Sequence, residues 1–322
     1  MKSLLASKFQ DPSRGVYFVG TTPPKSSTDE TMLEEISNKL VNRLKEVELD
    51  GFVVYDIQDE SSRTDKLRPF PFMETHDPRA WSKRLRELSD KPVITYKSVS
   101  SRSKAAFSEW LDSSWNEFGI RDIVLVGSPS SQGNIQLPIN DAYQCLDEKN
   151  EKFHLGGVTI AERHAKKGDE HVRLLKKSAG GCEFFISQAV YNPQATIDMI
   201  SLYARTCQEQ GIAPKRIILT FTPCGSAKTL EFMDWLGISV PEATKYRILD
   251  AKDPLAESIR ICRNALEQII EAALPLNIPL GLNIESLTNR KDEIDASIRL
   301  FKLLKATLDL KLAERSIDVT SA

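Results

Sequence analysis

The chain has 322 residues, with 43 Lys and Arg against 45 Asp and Glu, a formal charge of −2. So even a balance creates no broad positive field, and neither nucleic acid nor a membrane surface is expected as a partner, while a local basic patch for a small anion stays open. A chain of this length buries roughly three quarters of its unfolded surface without disulfides, and its five cysteines, Cys145, Cys182, Cys207, Cys224 and Cys262, are scattered and never spaced as CxxC. That usage fits single thiols in a reducing cytoplasm and argues against a Cys-based zinc site. The N-terminal "MKSLLASKFQ" is too weak for a signal peptide, and no apolar run approaches the ~18 residues that a membrane span needs.

In chain order, a short lead-in over residues 1–15 precedes a strand beginning at Val16, "VYFVGTTP". The next segment carries Met32, Leu33, Ile36, Leu40, Val41 and Leu44 at three- and four-residue steps, one face of a helix. Seven further β-branched, apolar runs follow, starting at Gly51, Pro92, Asp122, His154, Glu183, Arg216 and Pro279. Amphipathic stretches separate them. One, "ATIDMISLYARTCQEQG", closes on Gly211 as a helix stop, and two helical stretches fill the long gap before the last strand. The segment "RKDEIDASIRLFKLLKATLDLKLAER" is the final helix; residues 311–322 are set apart as a C-terminal tail, of which "SIDVTSA" reads as frayed.

Eight strand–helix units predict an α/β fold, a single (β/α)8 TIM-type barrel over residues 16–310. A doubly wound open sheet is the runner-up. It usually announces itself by a phosphate-binding glycine turn, and neither GxGxxG nor GxxxxGK[ST] occurs; Gly180 and Gly181 read as a helix stop.

In such a barrel, chemistry sits at the carboxyl ends of the strands. The polar residues at those positions are Thr21 and Thr22; Asp56 and Gln58; Tyr96 and Lys97; Ser128 and Ser130; Glu162 and His164; Gln188; Thr220 and Thr222; and Asn283 and Glu285. Asp56, Glu162 and Glu285 are either catalytic carboxyls or simple ion-pair partners. His154, early in its strand, reads as a hydrogen-bonded packing residue. Gln188 lies in an apolar strand where an amide needs a reason, which favours ligand contact. The stretch "RPFPFMETHDPRAW", residues 68–81, reads as a stiff apolar loop able to pave a pocket for a flat ring or to pack as a plain lid. No HxH, HExxH or carboxylate cluster suggests a metal, and no GxSxG or Cys–His signature suggests a covalent nucleophile.

Over most of residues 16–300 the chain resembles the methylenetetrahydrofolate reductase family. The likeness rests on the double proline Pro23–Pro24 after the first strand, the Glu-x-His of Glu162 and His164, and "LLKKSAGGCEFFISQAVYN" with Lys177 and Gln188. It extends to the proline turn at Thr222–Pro223 and to "GLNIESLTNRKDEI" in the last unit. The resemblance implies a barrel that reduces a folate-bound one-carbon unit with NADH or NADPH, usually through FAD. In that picture Gln188, Thr222 and Asn283 contact the folate-type substrate. Lys177, His164, Ser128 and Tyr96 border the cofactor, with Lys177 facing the flavin phosphates. Homo-oligomers are common in the family.

Three departures bear on the chemistry. The family's first-strand acid is Gly20 here, its fourth-strand Arg-Gly-Asp is replaced around Ser128 and Pro129, and its third-strand histidine is Val93. A positioned acid contributes about 100- to 10,000-fold in rate, so another carboxyl must take the role. Glu285 is expected to do so because the eighth strand adjoins the first in a closed barrel, with Asp56 and Glu162 as the other candidates. The alternative functions are a folate-binding component of a one-carbon or methyl transferase, a non-catalytic folate-binding barrel, or an unrelated barrel acting on a phosphorylated metabolite.

Overall fold

The computed structural model describes residues 3–60, 64–128 and 135–320. All eight expected strands form: β1 (Tyr17–Thr21), β2 (Gly51–Val54), β3 (Val93–Ser98), β4 (Asp122–Val126), β5 (His154–Thr159), β6 (Phe184–Ala189), β7 (Arg216–Phe221) and β8 (Leu280–Ile284). They close into a barrel in sequence order, and the strand pairs described are parallel. The fold is the (β/α)8 barrel that the sequence predicts.

The helices are α1 (Leu5–Gln10), α2 (Glu30–Arg43), α3 (Pro78–Ser89), α4 (Lys104–Asn116), α5 (Ile139–Asp147), α6 (Ala161–Lys167), α7 (Glu170–Ala179), α8 (Pro193–Glu209), α9 (Ala227–Trp235), α10 (Glu242–Leu249), α11 (Pro254–Ala273) and α12 (Lys291–Thr320). Four expectations change. The lead-in holds a helix, α1. The gap before β8 holds three helices instead of two. The stretch 68–81 is a loop only to Asp77, whose side chain caps the first turn of α3 by accepting from the Arg79 amide. And α12 carries on past 311 to Thr320, into the segment that the sequence reads as frayed.

The chain divides into two compact units. The first comprises Met1–Ser7, Phe18–Val158 and Ala179–Glu183. Its β1 and β2 run in register from Phe18↔Gly51 to Thr21↔Val54. Gly51 is required there, because a Cβ would stand 2.4 Å from the Pro92 carbonyl oxygen. At the strand-entry side Asp122 accepts from Ser3 Oγ and lies 2.8 Å from Nδ1 of the buried His154, so that histidine is the packing residue that the sequence suggests.

The second unit comprises Lys8–Tyr17, Thr159–Ser178 and Phe184–Ala322. Its organising residue is Arg216, the first residue of β7, which is 1% exposed. The guanidinium donates to the carbonyls of Phe9 (3.1 Å), Arg14 (2.8 Å), Leu280 (2.5 Å), Lys8 (3.3 Å) and Asp11. A buried cation normally demands a carboxylate. Here a curl of backbone carbonyls from the lead-in does that work, while the Phe9 ring packs edge-on to Phe184 at 4.8 Å. We predict that Arg216→Met strands these carbonyls and costs at least about 3 kcal/mol of stability. Chemical denaturation measures it, and a loss below ~1 kcal/mol, the scale of one ordinary hydrogen bond, would contradict this role.

Candidate functional site

In the first unit, the strand-end acid Asp56 is fully engaged. It accepts from Lys97 Nζ at 2.5 Å, the Ser98 amide at 2.8 Å and Gln58 Nε2 at 2.9 Å. The Asp56 and Lys97 side chains are 7% and 6% exposed. Burial pushes the Lys97 ammonium down from its ordinary range and Asp56 pulls it back. The pair faces the helix layer, since Lys97 Nζ lies 5.7 Å from the Trp110 ring centroid in α4, and Thr95, two residues earlier on the same strand face, bonds Ser82 of α3. A carboxylate with three donors behind the barrel wall ties strand ends together; it is not placed to give a proton to a ligand. Tyr96, on the opposite strand face and 7% exposed, packs edge-on against Tyr55 with centroids 4.9 Å apart.

The apolar loop is fastened to the segment after the double proline. Lys25 and Thr75 form an antiparallel bridge, the Ser26 amide donates to the Glu74 carbonyl, the His76 amide donates to the Pro24 carbonyl, and His76 Nε2 lies 2.9 Å from the Thr28 carbonyl oxygen. Ser128 sits just past β4, half-buried, whereas Pro129 and Ser130 lie outside the described residues.

In the second unit, the largest revision concerns Glu162 and His164. The strand β5 stops at Thr159, and "AERHAKK", a run of good helix formers, is the short helix α6, stopped by Gly168 at φ +69°. On a strand, residues two apart share a face; on a helix they point nearly opposite ways. Glu162 turns to the connector after α9, where its Oε1 accepts from the Ser239 amide at 3.2 Å. His164 turns instead to α7 and packs edge-on against His171, centroids 5.4 Å apart. His164 is 6% exposed and its Nδ1 is buried with no hydrogen-bond partner. Burial raises the Glu162 pKa, and burial with the neighbouring His171 lowers that of His164.

Gln188 ends β6 beside an irregularity in the β6–β7 register between Ile186 and Ala189. Its Nε2 donates to the Leu236 carbonyl at 2.7 Å. Gln188 and Glu162 thus hold the same connector, three residues apart. Thr222 and Asn283 are fully buried, Asn283 Nδ2 donating to Thr220 Oγ1 at 3.2 Å. Glu285, half-buried, follows β8 and donates its amide to the Phe221 carbonyl. Lys177 lies in the last turn of α7 and is not a strand-end residue. Of the side chains that the resemblance assigns to a flavin, His164 packs against His171 and Tyr96 against Tyr55.

Sequence reasoning missed His171, the Leu236–Ser239 connector and Glu293. The last is 1% exposed and accepts from Thr229 Oγ1 at 2.9 Å and Thr288 Oγ1 at 2.5 Å, joining the first turn of α9 to the loop after β8. The cue for Glu293 was available: an acid in the first turn of α12, where a helix N-terminus favours negative charge. Among the described residues no group of three or more His, Cys, Asp or Glu could hold a metal ion, and no helix is long and apolar enough to cross a membrane.

A solved structure of an uncharacterized protein from Clostridium thermocellum, which binds two copies of 5-methyl-5,6,7,8-tetrahydrofolic acid, is 35% identical to this chain. The match covers 94% of this chain and 99% of that one, with a TM-score of 0.80. Far more distant are 2,3-dimethylmalate lyase, at 9% identity over 87% of this chain and 76% of that chain with a TM-score of 0.48, and Xanthomonas albilineans dihydropteroate synthase with 4-aminobenzoic acid, at 11% over 92% and 94% with a TM-score of 0.45. Likenesses so remote carry no functional argument. No family profile matches the chain. No curated protein sequence matches it.

A depressed imidazole pKa fixes the sign of a pH effect. Above the unfolded histidine value, near ~6.5, His164 is neutral in both states and costs nothing. Below it, the unfolded chain takes up a proton that the folded chain refuses, so stability falls as pH drops. Denaturation at pH 7.5 and 5.5 is expected to show a larger acid loss for the native protein than for His164→Gln. Equal losses would remove His164 as the source.

Proposed function

We propose, on the premise that this chain belongs to the family of the Clostridium thermocellum protein, that it is a reduced-folate-binding (β/α)8 barrel. The observation that carries this reading is 35% identity sustained over 94% of the chain with a protein that binds 5-methyltetrahydrofolate. The geometry of the second unit supports it: Gln188 is half-buried at a strand end with one amide face committed to protein and the other left for a ligand. The ring system of a reduced folate offers several N–H donors that such a group can accept.

A second reading adds chemistry, the reduction or transfer of the folate's one-carbon unit, with NADH or NADPH as electron source where reduction occurs. Glu162 favours it. A carboxyl whose pKa is raised by burial holds a proton closer to neutral pH, as a general acid must. Glu285, half-buried just past β8, is the other candidate carboxyl in this unit. Asp56 is set aside by its pairing with Lys97. No step is routed through a flavin.

Titration calorimetry with 5-methyltetrahydrofolate tests the binding reading and gives the number of folates bound. Gln188→Ala is expected to weaken binding about tenfold, roughly 1.4 kcal/mol. No heat with the native protein would overturn the folate reading; native affinity in the variant would remove Gln188 from the site. For the chemical reading, NADH or NADPH oxidation in the presence of methylenetetrahydrofolate is expected to fall at least ~100-fold in Glu162→Gln or Glu285→Gln, whichever is the acid. Absence of oxidation alongside tight folate binding would leave a binding protein, and the visible absorption spectrum of the purified protein reports any retained flavin.

A further inference from the structure

Helix α9 ends in a left-handed turn. Gly237, at φ +78°, donates to the Asp234 carbonyl, and Ile238 donates to the Met233 carbonyl. The turn leaves the Leu236 carbonyl, an acceptor at a helix C-terminus, facing outward. Gln188 Nε2 takes that acceptor at 2.7 Å, and three residues further on the Ser239 amide donates to Glu162 Oε1 at 3.2 Å. A carbonyl only accepts, so the Gln188 contact does not survive a flip of its amide, whereas the Ser239 amide anchors either oxygen of the Glu162 carboxylate. The Gln188 amide is therefore oriented by the protein, with Oε1 left over, and Glu162 keeps Oε2.

A second observation points the same way. Next to Gln188 the β6–β7 ladder is irregular, and Ser187 Oγ, in place of a backbone carbonyl, accepts from the Thr220 amide while donating to the Gln188 carbonyl. Bulges of this kind cluster beside binding sites, where they re-aim a side chain. The hydroxyl repairs the ladder at the point where the backbone turns Gln188 toward the connector.

We propose that the Leu236–Ser239 connector is a positioning element that sets the polarity of the site, presenting Gln188 Oε1 and Glu162 Oε2 to the N–H donor edge of a ligand, the 2-amino and N3–H edge of a reduced pterin. The proposal rests on the folate reading and deepens it by naming the edge recognised. With Glu162 as the carboxylate, donors on the ligand meet two acceptors, and a ligand presenting carbonyls or unprotonated ring nitrogens there meets repulsion. Gly237 is the point of leverage, because a Cβ at this residue meets nothing within 4 Å and a substitution acts only through its positive φ. Gly211 provides a matched control: it also ends a helix at positive φ, +66°, with nothing within 4 Å, and it lies beyond the far end of α8 from the site.

The test compares affinity for 5-methyltetrahydrofolate with affinity for its 2-deamino-2-methyl analogue, which keeps the ring and loses one donor. The native protein is expected to prefer the amino form at least ~10-fold, the scale of one buried acceptor left unpaired. Gly237→Val, forcing a β-branched residue into the left-handed region, is expected to reduce the preference to about twofold. Gly211→Val is expected to lose similar thermal stability and keep the native preference. If Gly237→Val fails to fold, Gly237→Ala strains the same turn less, and its preference is expected to fall between those of the native protein and unity. A folded Gly237 variant with the native preference overturns the proposal. A native protein that binds both compounds equally overturns it while leaving the folate reading standing; one that binds neither overturns the folate reading itself.

Discussion

A polar group carried into a barrel must recover the hydrogen bonds that water gave it, and this requirement decides which strand-end residues are available to a ligand. An unpaired buried donor or acceptor costs about 1–3 kcal/mol. The two units meet the requirement differently. In the first, Asp56 and Lys97 satisfy each other, with Ser98 and Gln58 completing the carboxylate. The carboxylate has three donors, so the pair holds the end of β2 to β3. In the second, Gln188 and Glu162 borrow backbone groups from one connector. Each borrows with half of its functional group, which leaves the other half for something else. Arg216 shows the same logic with a guanidinium and carbonyls, where every donor is spent. Half-committed groups, more than charged ones, keep hydrogen-bonding capacity in reserve.

The strands were legible because burial on both faces leaves little choice of residue. Runs such as "DIVLV" and "RIILTF" are continuous apolar, β-branched segments between polar helices, and parallel strands require that pattern. The site was less legible because orientation depends on where a strand becomes a helix. The run "LGGVTIAERH" carries no marker between Thr159 and Ala161: the N-cap is Ile160, which offers no capping side chain. What terminates the strand comes from farther along the chain, where the fully buried Glu170 accepts the Ile160 amide at 3.0 Å. A contact ten residues away was needed to learn that Glu162 and His164 point apart. Asp56 was ambiguous for a related reason, since its identity as an ion-pair partner depends on Lys97 across a strand pairing that one-dimensional spacing does not encode.

The departures from the reductase pattern take a consistent form. Where that family places an acid on the first strand, this chain has Gly20, and its fourth-strand Arg-Gly-Asp is absent around Ser128. The matching residues Glu162, on α6, and Gln188, beside the β6–β7 irregularity, belong to the second unit and share the connector after α9. Variation of this kind is inexpensive for a barrel, because loops vary while the strand ring keeps its packing. The chain shares its family with the Clostridium thermocellum protein, at 35% identity over 94% of its length, so these departures stand within a barrel that family keeps.

The Glu162 carboxyl and the connector are also linked energetically. Burial alone would raise its pKa further; the Ser239 amide and its own backbone N–H hold it down. A rearrangement of the connector that withdraws the Ser239 amide therefore pushes the carboxyl toward its protonated form, and one that strengthens the contact pushes it toward the anion. The same three-residue span sets the orientation of the Gln188 amide. Hydrogen-bond polarity and proton occupancy at this site are consequently not independent: any shift of the turn at Gly237 changes both together, because the Gln188 amide and the Glu162 carboxyl lean on the same connector.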